Sequence, residues 1–272
     1  MDFTVGCHSD LLLHDLDKTG RLLDKKVVTD SCSPAVGKIV YTQSAVGGFV
    51  SLALDKEIQD LKDINALIAG FKSYHEKYTE DHTGRYGELA EYGPHSKILM
   101  IACCDSRVDP AIITNSQAGD LMVIRNMANL VPPYKKQQPF QETQAAIEFA
   151  VSYLSVENII IMGHSRCAGI RSLLTRLIDG SDPVLSLDKW TAVAEPAARQ
   201  VLKEIPHENL DEQSCACSRK ALVASLDNIK EYPGVADRIE KNLLHLHGWY
   251  FNLATGELDQ YGEGDGSFRK LF

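Results

Sequence analysis

Two apolar runs, each ending in a cluster of reactive side chains, constrain most strongly what this chain can fold into. Residues 98–102 are apolar without polar alternation, and Cys103-Cys104-Asp105-Ser106-Arg107 follows them. Residues 159–162 form a second such run, and it leads into His164-Ser165-Arg166-Cys167. A short continuous apolar run is typical of a parallel strand covered on both faces. We therefore predict two buried strands that end at the edge of a parallel sheet where ligands bind.

The residues at these two strand ends include a donor set for zinc. Two thiolates and one imidazole would leave the fourth position of a tetrahedral zinc site open, which is the catalytic pattern. Side chains alternate along a strand, so Cys103 would share one face with Asp105 and Arg107 if the extended path continues. Cys104 would then point the other way. Alternation alone leaves open which cysteine is the ligand, and both could instead be small buried hydrophobic side chains.

Four motifs together resemble the β-class carbonic anhydrases. They span roughly residues 62–262 and are Cys103-x-Asp105-Ser106-Arg107, Arg125 to Tyr134, His164-x-x-Cys167 and Leu246-His247-Gly248-Trp249-Tyr250. The resemblance implies reversible hydration of CO₂ to bicarbonate and a proton by a zinc-bound hydroxide. It also implies one Zn²⁺ per chain, held by Cys103, His164 and Cys167, and so selects Cys103 over Cys104.

The resemblance assigns catalytic roles to Asp105 and Arg107. Asp105 would accept the hydrogen bond of the hydroxide, and Arg107 would keep that carboxylate ionised and oriented. In some members of the family the equivalent of Asp105 leaves the arginine and takes the fourth zinc position. The alternative interpretation is an ordinary ion pair or helix cap at the strand end.

Pocket positions of the family align with Met122, Met127 and Phe149, which predicts an apolar wall suited to CO₂. We place two further residues in this substrate pocket, Gln144 and Ala168, because both depart from the family pattern. Gln144 stands where a small residue is usual, and Ala168 stands where a glycine is usual.

A third departure is Pro94, which stands where the family commonly has a glutamine. Proline offers neither a side-chain amide nor a backbone N–H. We predict that the Gln144 amide replaces the missing hydrogen-bond donor. Gln144 could instead be a solvated or subunit-contacting helix residue.

The order of patterns predicts an α/β fold with a central, mainly parallel β-sheet flanked by helices. Strands near 98–103, 121–124 and 158–162 alternate with helices over 143–154 and 168–178, which favours right-handed crossovers. An N-terminal helical arm is predicted from residue 64, further helices over 187–204 and 211–232, and a C-terminal antiparallel hairpin over 243–261. Residues 1–60 form an extension of unclear structure, and 61–272 a single zinc-binding catalytic domain.

Composition narrows the partners and the compartment. A net charge of −9 and a pI of about 5.5 do not indicate nucleic-acid binding. No apolar run approaches the ~20 residues of a membrane span, and the first residues lack the pattern of a signal peptide. Seven cysteines, three of them in the proposed site, favour a reducing compartment, so we predict the cytoplasm. The family resemblance implies a homodimer or higher homo-oligomer with sites at subunit boundaries.

Other functions are compatible with the same sequence. The site could hydrolyse a CO₂-like molecule such as carbonyl sulfide or carbon disulfide. The chain could also be a weakly active, bicarbonate-binding member of the family, or a thiol redox protein built on Cys103 and Cys104. A second zinc site is conceivable, although Cys-x-Cys on a helix does not face one way; its donors would be Cys215, Cys217, His245 and His247.

Overall fold

The computed structural model describes residues 40–42, 51–53, 64–80, 85–93, 95–135 and 142–272. The chain divides into two compact units, residues 1–80 and residues 81–272. In the first unit, strands β1 (Val40–Thr42) and β2 (Ser51–Ala53) pair antiparallel, and helix α1 spans Ile64–Glu80. Most of the predicted extension over 1–60 lies outside the described residues, and so does Pro94. The predicted single domain over 61–272 stays a prediction.

The second unit begins with four helices and three strands that alternate along the chain. They are α2 (Arg85–Tyr92), β3 (Ile98–Cys103), α3 (Pro110–Thr114), β4 (Leu121–Asn126), α4 (Glu142–Ser152), β5 (Asn158–His164) and α5 (Ala168–Asp179). The unit continues with α6 (Ser186–Thr191), α7 (Glu195–Glu204), α8 (Leu210–Lys230), α9 (Pro233–Glu240), β6 (His245–Phe251), β7 (Leu258–Gly262) and β8 (Ser267–Lys270). One-turn 3₁₀ helices lie at Met127–Asn129 and Ala192–Ala194.

Six strands form one mixed sheet in the order β4-β3-β5-β6-β7-β8. The first four run parallel, while β7 and β8 pair antiparallel with the strand before them. The α/β fold with a parallel core and an antiparallel C-terminal part is thus confirmed. Because β3 and β5 are parallel neighbours, their carboxyl ends lie at the same edge of the sheet.

Alternation along the central strands produces a core on each face of the sheet. In β3, Met100 and Ala102 pack into one cluster, whereas Leu99 and Ile101 pack into the other. Helices α5 and α7 cover the first cluster, α4 and α9 cover the second, and α8 contributes to both. Burial on both faces explains why β3 and β5 are continuously apolar.

One predicted helix is divided in the structure, and two elements of the C-terminal region were not predicted. The helix predicted over 187–204 is interrupted after Thr191, and α7 begins with Pro196 in its first turn, where the missing N–H is not needed. The short helix α9 and the edge strand β8 were not predicted, because Pro233–Glu240 and Ser267–Lys270 are short and largely polar. Among the described residues, no helix has the length and apolar character needed to span a membrane.

Candidate metal centre

The carboxyl ends of two adjacent strands and the start of one helix bring three metal-binding side chains together. Cys103 is the last residue of β3, and His164 is the last residue of β5. Cys167 occupies the N-cap position of α5, with an extended backbone at φ −67° and ψ 119°. Two strand ends and a helix start therefore fix the three Cβ positions, although the residues are up to 64 positions apart in sequence.

The three donor atoms are close together and buried. One ligand atom from each of Cys103, His164 and Cys167 lies within 4.8 Å of the others, and each residue is 1% exposed. The two Sγ atoms are 3.9 Å apart. In the part of the chain that the structure describes, this is the group of histidine, cysteine and acidic side chains that could hold a metal ion.

The His164 ring is oriented so that one nitrogen remains available for a metal. Its Nδ1 lies 2.9 Å from the carbonyl oxygen of Ser165, so Nδ1–H donates to that carbonyl. Its Nε2 is buried and has no hydrogen-bond partner among the described residues. A buried polar atom without a partner is costly, and metal coordination would satisfy it.

Ser165, which orients this histidine, is itself fixed by the end of β6. The Ser165 N–H donates to the carbonyl of Phe251 at 3.0 Å, and its Oγ accepts from the N–H of Leu253 at 2.9 Å. These two bonds therefore fix Ser165 in the turn after β5, with its own carbonyl directed at His164 Nδ1.

The two cysteines lie too close together for both to be thiolates without a cation. The hydrogen bond with Cys167, helped by His164, lowers the pKa of the Cys103 thiol. The same hydrogen bond, together with burial, raises the pKa of Cys167 well above its usual range. A divalent cation would stabilise both thiolates, so the donor set fits the zinc ion that the sequence predicts.

Cys104 faces a different environment. Its side chain is exposed, whereas Cys103 is buried. Partial desolvation and the charge of Cys103 raise the pKa of Cys104, which keeps it in the thiol form. The structure therefore groups Cys103, and not Cys104, with His164 and Cys167.

Asp105 and Arg107 form a two-pronged ion pair beside the three donors. Arg107 Nε donates to Asp105 Oδ1 at 2.9 Å, and Nη2 donates to Oδ2 at 2.7 Å. The Asp105 side chain is 12% exposed. The hydrogen bond from Arg107 lowers the pKa of the Asp105 carboxyl to about 2, so the group is a carboxylate at neutral pH. Both oxygens are thus bonded to the arginine.

The backbone conformation that brings Asp105 and Arg107 together differs from the sequence prediction. The extended path does not continue past Cys103, because β3 ends there and residues 106–107 form a turn. The Arg107 N–H also donates to Asp105 Oδ1 at 3.0 Å, and the Val108 N–H donates to the Asp105 carbonyl at 3.1 Å. The turn, and not strand alternation, places both side chains together.

Arg125 holds the backbone beside the three donors, a role that the sequence analysis did not assign to it. From β4 it donates to the Cys103 carbonyl at 3.1 Å, the Asp105 carbonyl at 2.6 Å and the Asp109 carboxylate at 2.6 Å. Asp109 also caps α3 by accepting from the N–H of Ala111. Arg125 therefore fixes the backbone on both sides of Cys104. An arginine directly after the apolar run 121–124 was the available signal.

The predicted pocket residues lie in several surroundings. Met122 is partly buried against the core, and the Met127 side chain packs on Gly169 in the first turn of α5. Ala168 is the exposed first residue of that helix. Phe149 is 43% exposed and stacks on Tyr153 with ring centroids 5.3 Å apart. Their shared role as a substrate wall stays a prediction.

Gln144 makes a contact along its own helix. Its Nε2 donates to Glu148 Oε1, one turn further along α4, at 2.9 Å. Its Oε1 is buried and has no partner among the described residues. The prediction that this amide serves the pocket stays a prediction.

The donors of the conceivable second zinc site point to different surroundings. On α8, Cys217 is buried while Cys215 is partly exposed. On β6, His247 Nε2 is bonded to Asn158 Oδ1 at 2.9 Å, and His245 is exposed. Within the described residues these four donors do not form a metal-binding group.

Comparisons with known proteins agree with this arrangement. The family model described as carbonic anhydrase matches residues 98–258, more than half of the chain. Beta carbonic anhydrase 3 of Arabidopsis thaliana is 30% identical over 244 residues, which cover 85% of this chain and 93% of that protein.

Two solved structures are similar to this chain in fold and sequence. The β-carbonic anhydrase CcaA has a TM-score of 0.70 at 32% identity, covering 77% of this chain and 92% of that one. A structure from work on two tetrameric β-carbonic anhydrases of Sordaria macrospora has a TM-score of 0.60 at 26% identity, covering 76% and 98%. Fold, donor set and relatives define a lyase that interconverts CO₂ and bicarbonate. The chain belongs to the β-carbonic anhydrase family.

Proposed function

We propose that this chain hydrates CO₂ reversibly at a single zinc ion held by Cys103, His164 and Cys167. The observation that carries the proposal is the buried group of two sulfurs and one unpartnered imidazole nitrogen within 4.8 Å of one another. Zinc bound there would act as a Lewis acid that lowers the pKa of a bound water. Three protein donors leave a tetrahedral ion one position for that water.

Asp105 orients the attacking oxygen in this proposal. Its carboxylate would accept a hydrogen bond from that oxygen and so direct a lone pair towards the carbon of CO₂. Water adds to CO₂ to give bicarbonate, and one proton is released. The ion pair with Arg107 holds Asp105 in its charged form and restricts its rotation. Preorganisation of this kind lowers the barrier, because little reorientation is needed during the reaction.

A stopped-flow CO₂ hydration assay tests the proposed function. We expect saturable hydration by the zinc-loaded protein, loss of activity after chelation, and recovery when zinc is restored. Carbonyl sulfide and carbon disulfide are assayed in parallel. Faster turnover of either molecule than of CO₂ would make the chain a hydrolase of CO₂-like molecules. Binding of bicarbonate without turnover would make it a binding member of the family.

We further propose that the chain is a homodimer or a larger homo-oligomer of the cytoplasm. The similar Sordaria macrospora enzymes are named as tetrameric. The exposed Phe149 on α4 would then be covered by a partner subunit and could line a pocket at the boundary. A reducing compartment suits the site, because thiolates bind zinc only when they are not oxidised.

A further inference from the structure

A single peptide unit links one zinc-binding sulfur to a tryptophan on α6. The carbonyl of Met127 accepts from Trp190 Nε1 at 2.7 Å. The N–H of the same peptide, carried by Ala128, donates to Cys103 Sγ at 3.3 Å. In a planar trans peptide the C=O and N–H point in opposite directions. The bond to Trp190 on one side therefore sets the direction of the N–H on the other.

This peptide is held in an orientation that its own sequence disfavours. Ala128 has φ +64° and ψ 23°, and Asn129 follows with φ +49°. The left-handed region is strained for alanine, because Cβ approaches the following carbonyl oxygen. Rotating the 127–128 peptide by half a turn would bring φ of Ala128 to a relaxed negative value. The same rotation would turn the N–H away from Cys103.

The groups around the peptide are well anchored. Trp190 packs against the core cluster that contains Cys103 and Cys167. Helix α6 is tied to α5 because Arg176, only 10% exposed, faces Asp188 at 4.0 Å and Glu195 at 3.0 Å. The Met127 side chain is confined against Gly169, where an added Cβ would lie 2.7 Å from Met127 Cγ. The Trp190 side chain thus has little freedom to move, and its hydrogen bond keeps the strained peptide in place.

We infer that Trp190 is a positioning residue that holds the Met127–Ala128 peptide so that its N–H donates to the Cys103 sulfur. This inference rests on the proposed zinc site. A hydrogen bond to a metal-bound sulfur withdraws electron density from it and makes the thiolate a weaker donor. Trp190 would in this way tune the electron density that Cys103 gives to the metal, from outside the set of ligands.

The main test compares Trp190→Phe with Thr191→Val. Trp190→Phe keeps an aromatic ring but removes the N–H donor. Thr191→Val is the matched control on α6, because it removes the bond from Thr191 Oγ1 to the Leu187 carbonyl without touching the peptide. Ala128→Gly is also made both alone and together with Trp190→Phe, because glycine adopts a positive φ without strain.

Two measurements report on the sulfur independently of activity. In the cobalt-substituted protein, the sulfur-to-cobalt charge-transfer band should move to longer wavelength in Trp190→Phe and stay in place in Thr191→Val. The zinc dissociation constant, measured by chelator competition, should rise about tenfold in Trp190→Phe, because the Cys103 sulfur also loses the partner that orients it towards the metal; tenfold is the lower end of the usual loss for such a partner. The Ala128→Gly background should reduce both changes, because glycine removes the strain that drives the rotation.

Several results would overturn the inference. One is a folded Trp190→Phe protein with the wild-type band, and another is a control that shifts the band equally. A third is an effect of Trp190→Phe that is just as large with Gly at position 128. If Trp190→Phe does not fold, β-(3-benzothienyl)alanine is placed at position 190 instead, because it keeps the shape of the indole without the N–H. The same band and the same dissociation constant are then measured, and an unchanged band overturns the inference. A wild-type protein that binds neither zinc nor cobalt would instead refute the proposed function.

Discussion

At the scale of single residues, the site depends on the charge state of the two cysteines and of Asp105. Cys103 and Cys167 have buried sulfurs 3.9 Å apart, so both ionise only when a cation lies between them. His164 has Nε2 available as a metal donor because its Nδ1–H donates to the Ser165 carbonyl. Asp105 stays charged because Arg107 holds both of its oxygens.

The two adjacent cysteines should differ sharply in their effect on the metal. Cys103→Ser removes a thiolate from the buried group and should lower the zinc content from about one per chain to near zero, with loss of hydration. Cys104→Ser is the matched control and should retain zinc, because Cys104 is exposed and outside the group. Atomic absorption on the purified proteins measures both. Retention of zinc in Cys103→Ser together with its loss in Cys104→Ser would exchange the roles of the two residues.

Removal of Arg107 should damage catalysis without removing the metal. Arg107→Ala should lower CO₂ hydration by ~10²-fold, the scale of losing one preorganised electrostatic partner. Arg107 lowers the pKa of Asp105 to about 2, so its removal should raise that pKa towards the ordinary 3.8. Asp105 would then become neutral at a higher pH than in the wild type as the solution is acidified. Near-normal hydration in zinc-replete Arg107→Ala would show that the pair has a structural role only.

At the scale of elements, tight packing of α8 on β6 supports the strand next to β5. Gly248 is buried in β6, and an added Cβ would lie 2.7 Å from Leu222 Cδ2 and 2.8 Å from Leu226 Cδ1. Both leucines are almost fully buried and have little room to move. The helix therefore approaches the sheet as closely as it does only because position 248 has no side chain.

Gly248→Ala should lower the free energy of unfolding by about 1–3 kcal/mol, the usual cost of overpacking a core. Gly264→Ala, between β7 and β8, is the control and should change it by less than about 0.5 kcal/mol, because no atom lies within 4 Å of the added Cβ. Urea unfolding of the zinc-loaded proteins measures both. Equal stabilities for the two variants would show that α8 can move away from β6 at little cost.

Elements with a strong local pattern were predictable from the sequence, and those without one were not. The apolar runs of β3 and β5 end in metal-binding side chains, and parallel neighbours bring their carboxyl ends together, so a cluster of cysteine and histidine at this edge was predictable. The choice of Cys103 over Cys104 came from the family resemblance and not from the strand pattern. The interrupted helix before Pro196 and the short strand β8 were not, because a few polar residues carry no clear period. Trp190 and Met127 are 63 positions apart, and their bond exists only after α6 has packed. Tertiary contacts of this kind leave no local signal.

At the scale of the whole molecule, α1 carries an apolar stripe that is largely exposed among the residues that the structure describes. Ile64 is 67% exposed, Leu67 57%, and Phe71 65%, although this stripe has the spacing of a helix face made for packing. An amphipathic helix of 17 residues with an open apolar face is suited to contact with another copy of the chain. This supports the proposed homo-oligomer.

A charge on the stripe should shift the assembly to smaller species. Phe71→Asp should lower the mass measured by sedimentation equilibrium, because a carboxylate would be buried without a partner. Ser73→Asp places the same charge two residues further on, on the opposite side of α1, and should leave the mass unchanged. A monomeric wild type, or equal effects of the two variants, would contradict the role of α1 in assembly.

The proposed chemistry depends above all on two thiolates and one imidazole that hold a zinc ion whose fourth ligand is an exchangeable oxygen. Zinc K-edge X-ray absorption on the protein as purified measures these donors directly. We expect two sulfurs at about 2.3 Å and two nitrogen or oxygen atoms at about 2.0–2.2 Å, with one zinc per chain. A shell of three or four sulfurs, or a protein that binds no zinc, would contradict this set of donors.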